Sequence, residues 1–516
     1  MRNPILTGFK PDPSKMYETR LFLRLVVLLF LSSGLGFAVE TNLQVSTSTN
    51  VLALAKPTAD QVAFMDMELG AFFHFDLNTF TGQEHGDGFE PASKFNPTEL
   101  DVEQWVRTAK AMGAKYAVLT ARHEGGFCLW PTKTTDYGIQ NSPYKKGKGD
   151  IVREYVNACR KYGLKVGIYH TAAYDAHATY KSVDKGHVVW GKSADVLRAQ
   201  RFADMGVEGR EKYIAMQVAQ VTELMTNFGD ITYFWCDHYS GSNPIWQAVT
   251  KTVKKLQPHC LMMGVDTITP GNELGFVAYP MWNGVYPGAG GSSDIIQLPN
   301  NYGLLETDVL VGSPFGKHWQ CREVDTSGAI WTGGWFWHPG KKPKNSSNRN
   351  VDLYYRSVGM GANLIVNLPP DNRGLIQQDM ADTAEKFGEE IKRRFAHPVA
   401  ERDDIPAGDT VELSWEKPSR INTIITMENI IDGQKVAAYT MEAMVNGKWT
   451  SLNPANYFTN APAAFNQSPG FKTIGHKKID RIEPVITTRI RFHCIKCVQP
   501  PAELRSMLVF NSDPNL

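Results

Sequence analysis

Residues 150–169 read DIVREYVNACRKYGLKVGIY and contain the pattern that decides the fold. Asp150 is a typical N-cap, apolar residues follow at helical spacing, and Gly163 takes the C′ position, so the sequence predicts a helix over 150–162. The run Lys165-Val-Gly-Ile-Tyr169 then predicts a short buried strand. A helix followed directly by an apolar strand is the repeating unit of an α/β protein.

The same unit recurs from residue 70 to residue 396. Strands are predicted at 70–75, 115–120, 165–169, 231–235, 261–265 and 362–367, and helices at 102–112, 150–162, 211–228, 245–256, 351–360 and 381–396. Nearly continuous apolar strands alternating with helices indicate a parallel sheet covered by helices, and the number of units fits a (β/α)8 barrel. Strands six and seven are weakly marked within 275–345, and a doubly wound sheet is the alternative.

The pattern changes after Pro398. Short alternating segments at 411–415, 422–426, 438–444 and 487–492 predict strands, and Asp432-Gly433 and Asn446-Gly447 predict turns. We therefore expect a barrel over 61–397 and an all-β sandwich over 398–516. The sequence does not decide whether the sandwich binds glycans or braces the barrel, and we favour a brace.

The first residues are typical of an export signal. The apolar run 21–37 follows Lys15 and Arg20, and Gly36-Phe37-Ala38 has the small-x-small pattern of a cleavage site. We expect a signal peptide over 1–38, a linker over 39–60, and an exported protein, periplasmic or extracellular. An uncleaved anchor is the alternative, but the run is short for a membrane span, and no integral span is expected after signal removal.

Composition excludes several classes of protein. With 42% apolar and 21% charged residues, the chain has the composition of a globular protein. Because 54 Lys plus Arg balance 53 Asp plus Glu, it lacks the excess of basic residues that is typical of nucleic-acid-binding proteins. Seven cysteines are too few for a disulfide framework in a chain of 516 residues. The spacing Cys494-Ile-Lys-Cys497 favours a disulfide or plain thiols over zinc, because no second ligand pair follows.

Ionisable residues follow the predicted strands at the end where a parallel barrel carries its active site. Asp237 directly follows an apolar strand, and Glu273 lies between two glycines that keep it accessible. Two carboxylates facing each other across a barrel mouth suit glycoside hydrolysis, in which one attacks or activates water and the other protonates the leaving oxygen. The polar residues after the five strands are His74, Asp76 and Asn78; Arg122, His123 and Glu124; Tyr169, His170, Asp175 and His177; Asp237 and His238; and Asn272 and Glu273.

Several motifs, taken together, resemble the family 29 glycoside hydrolases, the α-L-fucosidases. They occur in family order between about residues 65 and 396: HFDLNTFT (74–81), FNP (95–97), LTARHEGGFCLW (119–130), GLKVGIY (163–169), YFWCD (233–237), GNE (271–273), EVDTS (323–327) and GWFW (334–337). The GNE motif and Trp335 resemble the branch acting on α1,3/α1,4-linked fucose. That family has a (β/α)8 barrel followed by a β-sandwich.

The resemblance implies a retaining enzyme that releases fucose from an oligosaccharide or glycoconjugate without a metal or other cofactor. Asp237 aligns with the nucleophile and Glu273 with the acid/base, which implies carboxyl groups about 5–5.5 Å apart. The remaining aligned positions are implied to bind substrate: His74, Glu84, His123, Glu124, Trp130, Tyr169, Trp235, Glu323 and Trp335.

Three positions depart from the family pattern. Where the family usually has two adjacent histidines, this chain has His123 and Glu124. Where the family has Glu-Trp, this chain has Glu84-His85, and its Trp-Phe-Asp-Gly is replaced by a sequence ending in Cys236, Asp237 and His238. These changes predict retained chemistry with shifted sugar specificity, toward fucose, a modified fucose or a galactose-configured relative. A metal-dependent hydrolase using His74, His123, His170 and Asp237, and a glycan-binding protein without turnover, are the alternatives.

Overall fold

The computed structural model describes residues 53–180 and 204–512, apart from positions 238, 240, 269–272, 274, 276, 278, 286–294, 300–304, 311, 332, 344–346 and 456–469. The predicted signal peptide, most of the predicted linker, His238 and Asn272 lie outside the described residues. No helix within the described ranges is long and apolar enough to cross a bilayer.

The first part of the chain forms an α/β barrel. Its strands and the short strands inserted among them are β1 (Leu69–Phe73), β2 (Tyr116–Arg122), β3 (Lys165–His170), β4 (Tyr233–Trp235), β5 (Leu261–Met262), β6 (Thr267–Ile268), β7 (Gly284–Val285), β8 (Ile295–Pro299), β9 (Leu305–Leu310), β10 (His318–Trp319), β11 (Cys321–Thr326) and β12 (Asn363–Asn367). Eight of them form one parallel sheet in the order β5-β4-β3-β2-β1-β12-β11-β6, and a bridge between Met263 and Thr267 nearly closes it. The fold is the expected (β/α)8 barrel.

The helices cover the outside of this sheet. They are α1 (Ala59–Met65), α2 (Asn78–Thr81), α3 (Val102–Met112), α4 (Ile151–Tyr162), α5 (Ala176–Tyr180), α6 (Gly206–Asn227), α7 (Pro244–Leu256), α8 (Ser347–Arg356) and α9 (Gln378–Phe395), with 3-10 turns at Ala92–Lys94, Ile139–Asn141, Tyr144–Gly147 and Val358–Met360. In α4 the Asp150 carboxylate accepts a hydrogen bond from the Arg153 amide, and Gly163 takes the left-handed conformation that ends the helix.

The strands alternate between two apolar layers. In β2, Tyr116 and Val118 face the barrel interior, whereas Ala117 and Leu119 pack against the helices. This alternation follows from the two-residue period of a strand. Helix α1 packs at the amino ends of the strands, where Phe64 contacts the rings of Tyr116 and Tyr233 at centroid distances of 5.2 and 4.9 Å.

The predicted fifth strand is too long. It ends at Met262, because a tight turn follows in which the Asp266 carboxylate accepts from the Met262 amide at 2.8 Å. The sixth strand begins at Thr267 without an intervening helix. Glu273 therefore follows the sixth barrel strand and not the fifth, and β11 is the seventh strand, which carries Glu323.

The C-terminal part is an antiparallel β domain. Its strands are β13 (Ala400–Asp403), β14 (Thr410–Glu428), β15 (Val436–Val445), β16 (Lys448–Ser451), β17 (Lys478–Cys497) and β18 (Leu504–Phe510), in the order β13-β18-β14-β17-β15-β16. The predicted strands 411–415 and 422–426 are halves of β14, whose pairing with β17 shifts register around Pro418. Residues of both ends of the sheet share one apolar core, as in a sandwich.

The β domain packs directly on the barrel. Ile425, Ile479 and Phe510 belong to the same apolar cluster as the barrel helices, and the Phe510 ring lies 5.6 Å from that of Phe395. Lys477 also pairs with Glu68 at 2.7 Å. Such contacts are expected of a β domain that braces the barrel.

Candidate active site

The site lies at the carboxyl ends of the barrel strands. His74 directly follows β1, and Asn367 is the last residue of the neighbouring β12. Burial lowers the pKa of His74 well below its usual value, so the imidazole is neutral. Because the Asn367 amide nitrogen donates to the Trp335 carbonyl at 2.7 Å, its oxygen is left to accept from His74 Nδ1 at 2.9 Å. His74 Nε2 is thereby an acceptor.

Asp237 lies on one side of this pocket, just past β4, and is half-buried. The Tyr169 hydroxyl donates to Asp237 Oδ2 at 2.9 Å. Burial, and then the negative charge of Asp237, raise the pKa of Tyr169, so the phenol remains a donor at neutral pH. The His123 ring stacks on Tyr169 at 5.4 Å and 12°. These contacts fix one carboxylate oxygen of Asp237.

Glu273 follows the sixth barrel strand and is exposed. The Trp335 indole donates to Glu273 Oε2 at 3.2 Å. The ring of Trp335 lies 4.8 Å from that of His74, which in turn lies 6.0 Å from Tyr169. The residues that contact the two carboxylates are therefore neighbours at the carboxyl end of the barrel. Glu273 has φ of 44°, a left-handed conformation that a non-glycine residue adopts only under local constraint.

Glu323 lies deeper, within the barrel. Its carboxyl group accepts hydrogen bonds from the hydroxyls of Tyr116 and Tyr233, the latter at 2.8 Å. Burial raises its pKa to about 7 despite these two donors. The structure thus places Glu323 beneath the pocket and not at its surface.

Asp325 was not among the predicted site residues. It lies two positions beyond Glu323 on β11, so it points to the same face of the strand and is nearer the pocket mouth. Burial raises its pKa well above the usual value, and the charges of Glu273, Glu323 and Asp237 add to the shift. Its Oδ1 has no hydrogen-bond partner among the described residues. The alternation of Glu323 and Asp325 was a signal that could have identified it.

Glu84 and Glu124 each face a histidine. Glu84 accepts from the Trp335 amide at 2.9 Å and pairs with His338, and Glu124 Oε2 lies 3.2 Å from His85 Nδ1. His338 and Asn367 are further site residues that the sequence did not identify.

Trp235 and Trp130, both predicted to bind substrate, lie in different layers of the barrel. Trp235 packs in the barrel interior, 5.0 Å from the ring of Phe72. Trp130 is buried on the helix side, where its indole donates to Glu223 Oε2 of α6 at 2.8 Å. It is therefore not brought together with the pocket residues.

Of the imidazoles predicted as alternative metal ligands, those of His74 and His123 lie 5.9 Å apart, but His170 lies elsewhere. His170 is buried with Nε2 hydrogen-bonded to Gln220 of α6 at 3.0 Å, on the helix side of β3. Across the described ranges no group of three or more His, Cys, Asp or Glu side chains has the arrangement of a metal site. All seven cysteines are unbonded thiols.

Asp76 adds another buried carboxyl group after β1. Burial raises its pKa to about 7, with a smaller contribution from the charge of Glu84. Several carboxyl groups thus lie at this end of the barrel in different environments. Different environments give carboxyl groups different pKa values, so that one can be a proton donor while another is an ionised nucleophile. A parallel barrel with such an acidic pocket at its carboxyl end is the architecture of a barrel glycoside hydrolase.

Comparisons with known proteins agree with this class. The α-L-fucosidase family profile matches residues 65–394. A proposed α-L-fucosidase 1 from Oryza sativa subsp. japonica is 29% identical over 439 residues, 77% of this chain and 77% of the rice protein. The α-L-fucosidase 1 of Arabidopsis thaliana is 28% identical over 383 residues, 71% of this chain and 67% of its own.

Solved structures share the fold over most of the chain. A proposed α-L-fucosidase from Bacteroides thetaiotaomicron is 31% identical, with a TM-score of 0.71, and the match covers 89% of this chain and 100% of that one. A glycoside hydrolase 29 family member from an unknown rumen bacterium is 29% identical, with a TM-score of 0.70, covering 89% and 78%. This chain belongs to the α-L-fucosidase family of glycoside hydrolases.

Proposed function

We propose that the protein is a retaining exo-glycosidase that removes terminal α-L-fucosyl residues from oligosaccharides or glycoconjugates. The proposal is carried by one observation: the hydrogen-bond partners of Asp237 and Glu273, which are Tyr169 and Trp335, both contact the ring of His74. Two carboxylates on opposite sides of one sugar are what a double displacement requires.

In the first step Asp237 attacks the anomeric carbon while Glu273 protonates the departing glycosidic oxygen. The Tyr169 hydroxyl donates to Asp237 Oδ2 and so orients the carboxylate that attacks. In the second step Glu273 takes a proton from water, which releases the sugar from the Asp237 ester. The exposure of Glu273 suits this role, because the leaving group and water must both reach it.

The finer specificity belongs to the same proposal. The GNE motif and Trp335 favour a preference for α1,3/α1,4-linked fucose, and the pairing of Glu124 with His85 favours altered hydroxyl recognition. The apolar run 21–37 supports export. A panel of aryl α-L-fucosides, β-D-galactosides and related aryl glycosides distinguishes fucose from a galactose-configured sugar in a single assay.

Asp237→Ala is expected to lower kcat on an aryl α-L-fucoside by at least about a thousandfold, because the attacking carboxylate is lost. Azide should partly rescue Asp237→Gly and give a fucosyl azide of inverted anomeric configuration, identified by NMR. Asp230→Gly, at the amino end of β4, is the matched control and should keep its activity. Undiminished activity of Asp237→Ala rejects the assignment.

Glu273→Ala is expected to lower kcat/KM strongly for substrates with poor leaving groups and little for activated aryl fucosides. Only a poor leaving group needs protonation by a general acid in the first step. The slope of log kcat/KM against leaving-group pKa measures this difference, and Glu211→Ala on α6 is the control. Equal losses across the series would assign the acid/base role to another residue.

A further inference from the structure

The loop that carries Trp335 is held by a single carboxylate. We call residues 333–338 the Trp335 loop. Glu84 accepts from the backbone amides of Trp335 at 2.9 Å and Phe336 at 3.4 Å, and its other oxygen pairs with His338 Nε2. Gly334 has φ of 100°, and a Cβ there would overlap the Glu84 carboxylate, so glycine permits this close approach.

A second contact holds the same loop from the strand side. The Asn367 amide at the end of β12 donates to the Trp335 carbonyl at 2.7 Å. The backbone of Trp335 is thus fixed at its N–H by Glu84 and at its C=O by Asn367. With the backbone fixed, packing of the indole against the rings of Phe72 and His74, at 6.0 and 4.8 Å, limits the direction of its N–H.

The indole is directed at the proposed acid/base. Trp335 Nε1 donates to Glu273 Oε2 at 3.2 Å. In a protonated carboxyl group the carbonyl oxygen is the better acceptor, so the indole contact at Oε2 favours the proton of Glu273 on Oε1. The contact therefore favours Oε1 as the oxygen that presents its proton to the leaving group.

We propose that the hydrogen-bonded pair of Glu84 and His338 positions the acid/base through Trp335, and that His338 is a positioning residue of this reaction. This inference rests on the proposed role of Glu273. The Glu84 and His338 side chains are 30% and 17% exposed, so the pair is shielded enough to hold its geometry. The three donors to the Glu84 carboxylate named above all belong to the Trp335 loop, so the pair acts on that loop.

A double-mutant cycle tests the proposal. His338→Ala and Trp335→Phe are each expected to lower kcat/KM on a fucoside with a poor leaving group by about tenfold, the effect of losing a charge-assisted hydrogen bond. Activated aryl fucosides should change little. Because both variants remove the same interaction, the double variant should be no worse than Trp335→Phe alone. His338→Gln, whose amide can donate to Glu84, should recover part of the loss.

Controls separate this effect from general damage to the site. His397→Ala removes an exposed histidine after α9, and Trp415→Phe on β14 removes an indole whose nitrogen has no partner among the described residues. Both should keep the leaving-group slope of the unmodified enzyme. Thermal melting of each variant checks folding, and His338→Gln serves for the cycle if His338→Ala melts early.

The outcomes distinguish the two proposals. Multiplicative losses in the double variant, or equal losses on good and poor leaving groups, would overturn the positioning role of His338. If Glu273→Ala itself shows no dependence on the leaving group, the acid/base assignment fails whatever His338 does. Both the acid/base role of Glu273 and the positioning role of His338 are supported if kcat/KM of Glu273→Ala depends on the leaving-group pKa and the double-mutant cycle is non-additive.

Discussion

Glu323 is a fully buried carboxyl group whose pKa is raised to about 7, primarily by burial. In the unfolded chain the same group has an ordinary pKa near 4.5. Between these two values the folded protein keeps a proton that the unfolded chain releases. Raising the pH through this window therefore favours unfolding and lowers stability, by roughly 3 kcal/mol in total at about 1.4 kcal/mol per pKa unit.

Glu323→Gln should remove this contribution, because glutamine does not titrate and its side chain can still bond to Tyr116 and Tyr233. The melting temperature of the variant should fall less than that of the unmodified protein between pH 5 and pH 8. Glu401→Gln, an exposed change on β13, should leave the slope unchanged. Parallel slopes for Glu323→Gln and the unmodified protein would show that Glu323 is ionised in the folded state.

At the residue scale, the sequence predicted Asp237 and Glu273 as candidates but not the residues that contact them. Asp237 was predictable because an apolar strand precedes it directly. His338 and Asn367 were not, because their partners Glu84 and His74 are 254 and 293 positions away in the chain. Such contacts depend on the closed barrel, which brings the ends of β1 and β12 together. Trp130 was predicted as a substrate-binding residue from its place in a motif, but its indole lies on the helix side of the barrel. Membership of a motif does not say toward which side a residue points.

At the element scale, the helices with strong local signals were predicted well. The N-cap Asp150 and the C-cap Gly163 delimit α4, because both act through bonds within one turn. Strands β5 and β6 were not separated, since each has only two residues and they are joined by a tight turn. Neither is long enough to show periodicity.

Strand β14 was predicted as two short strands, and Pro418, which lacks the N–H that a regular ladder needs, lies between them. The structure keeps the strand continuous by shifting its register against β17 between Ser414 and Ser419. The edge strands β13 and β16 were also missed. Each has four mostly exposed residues, so neither shows an apolar face.

At the scale of the whole molecule, alternation of helices and apolar strands predicted a parallel sheet and favoured a barrel, with a doubly wound sheet as the alternative. The order of its strands follows from that pattern, since consecutive parallel strands pair as neighbours. The interface between barrel and β domain was not predictable. Ile479 lies between Lys478 and Asp480, as in any half-buried strand, and Phe510 ends the apolar run 507–510. Only the structure shows that both join the barrel core.

The account as a whole depends on a covalent intermediate at Asp237. Glu273→Ala, treated with an activated aryl α-L-fucoside, lacks the base for the second step and should accumulate the fucosyl ester. Mass spectrometry of the intact protein and its peptides should find one added deoxyhexosyl unit, located on Asp237. An adduct on another residue, or full turnover with no adduct on rapid quenching, would contradict the mechanism.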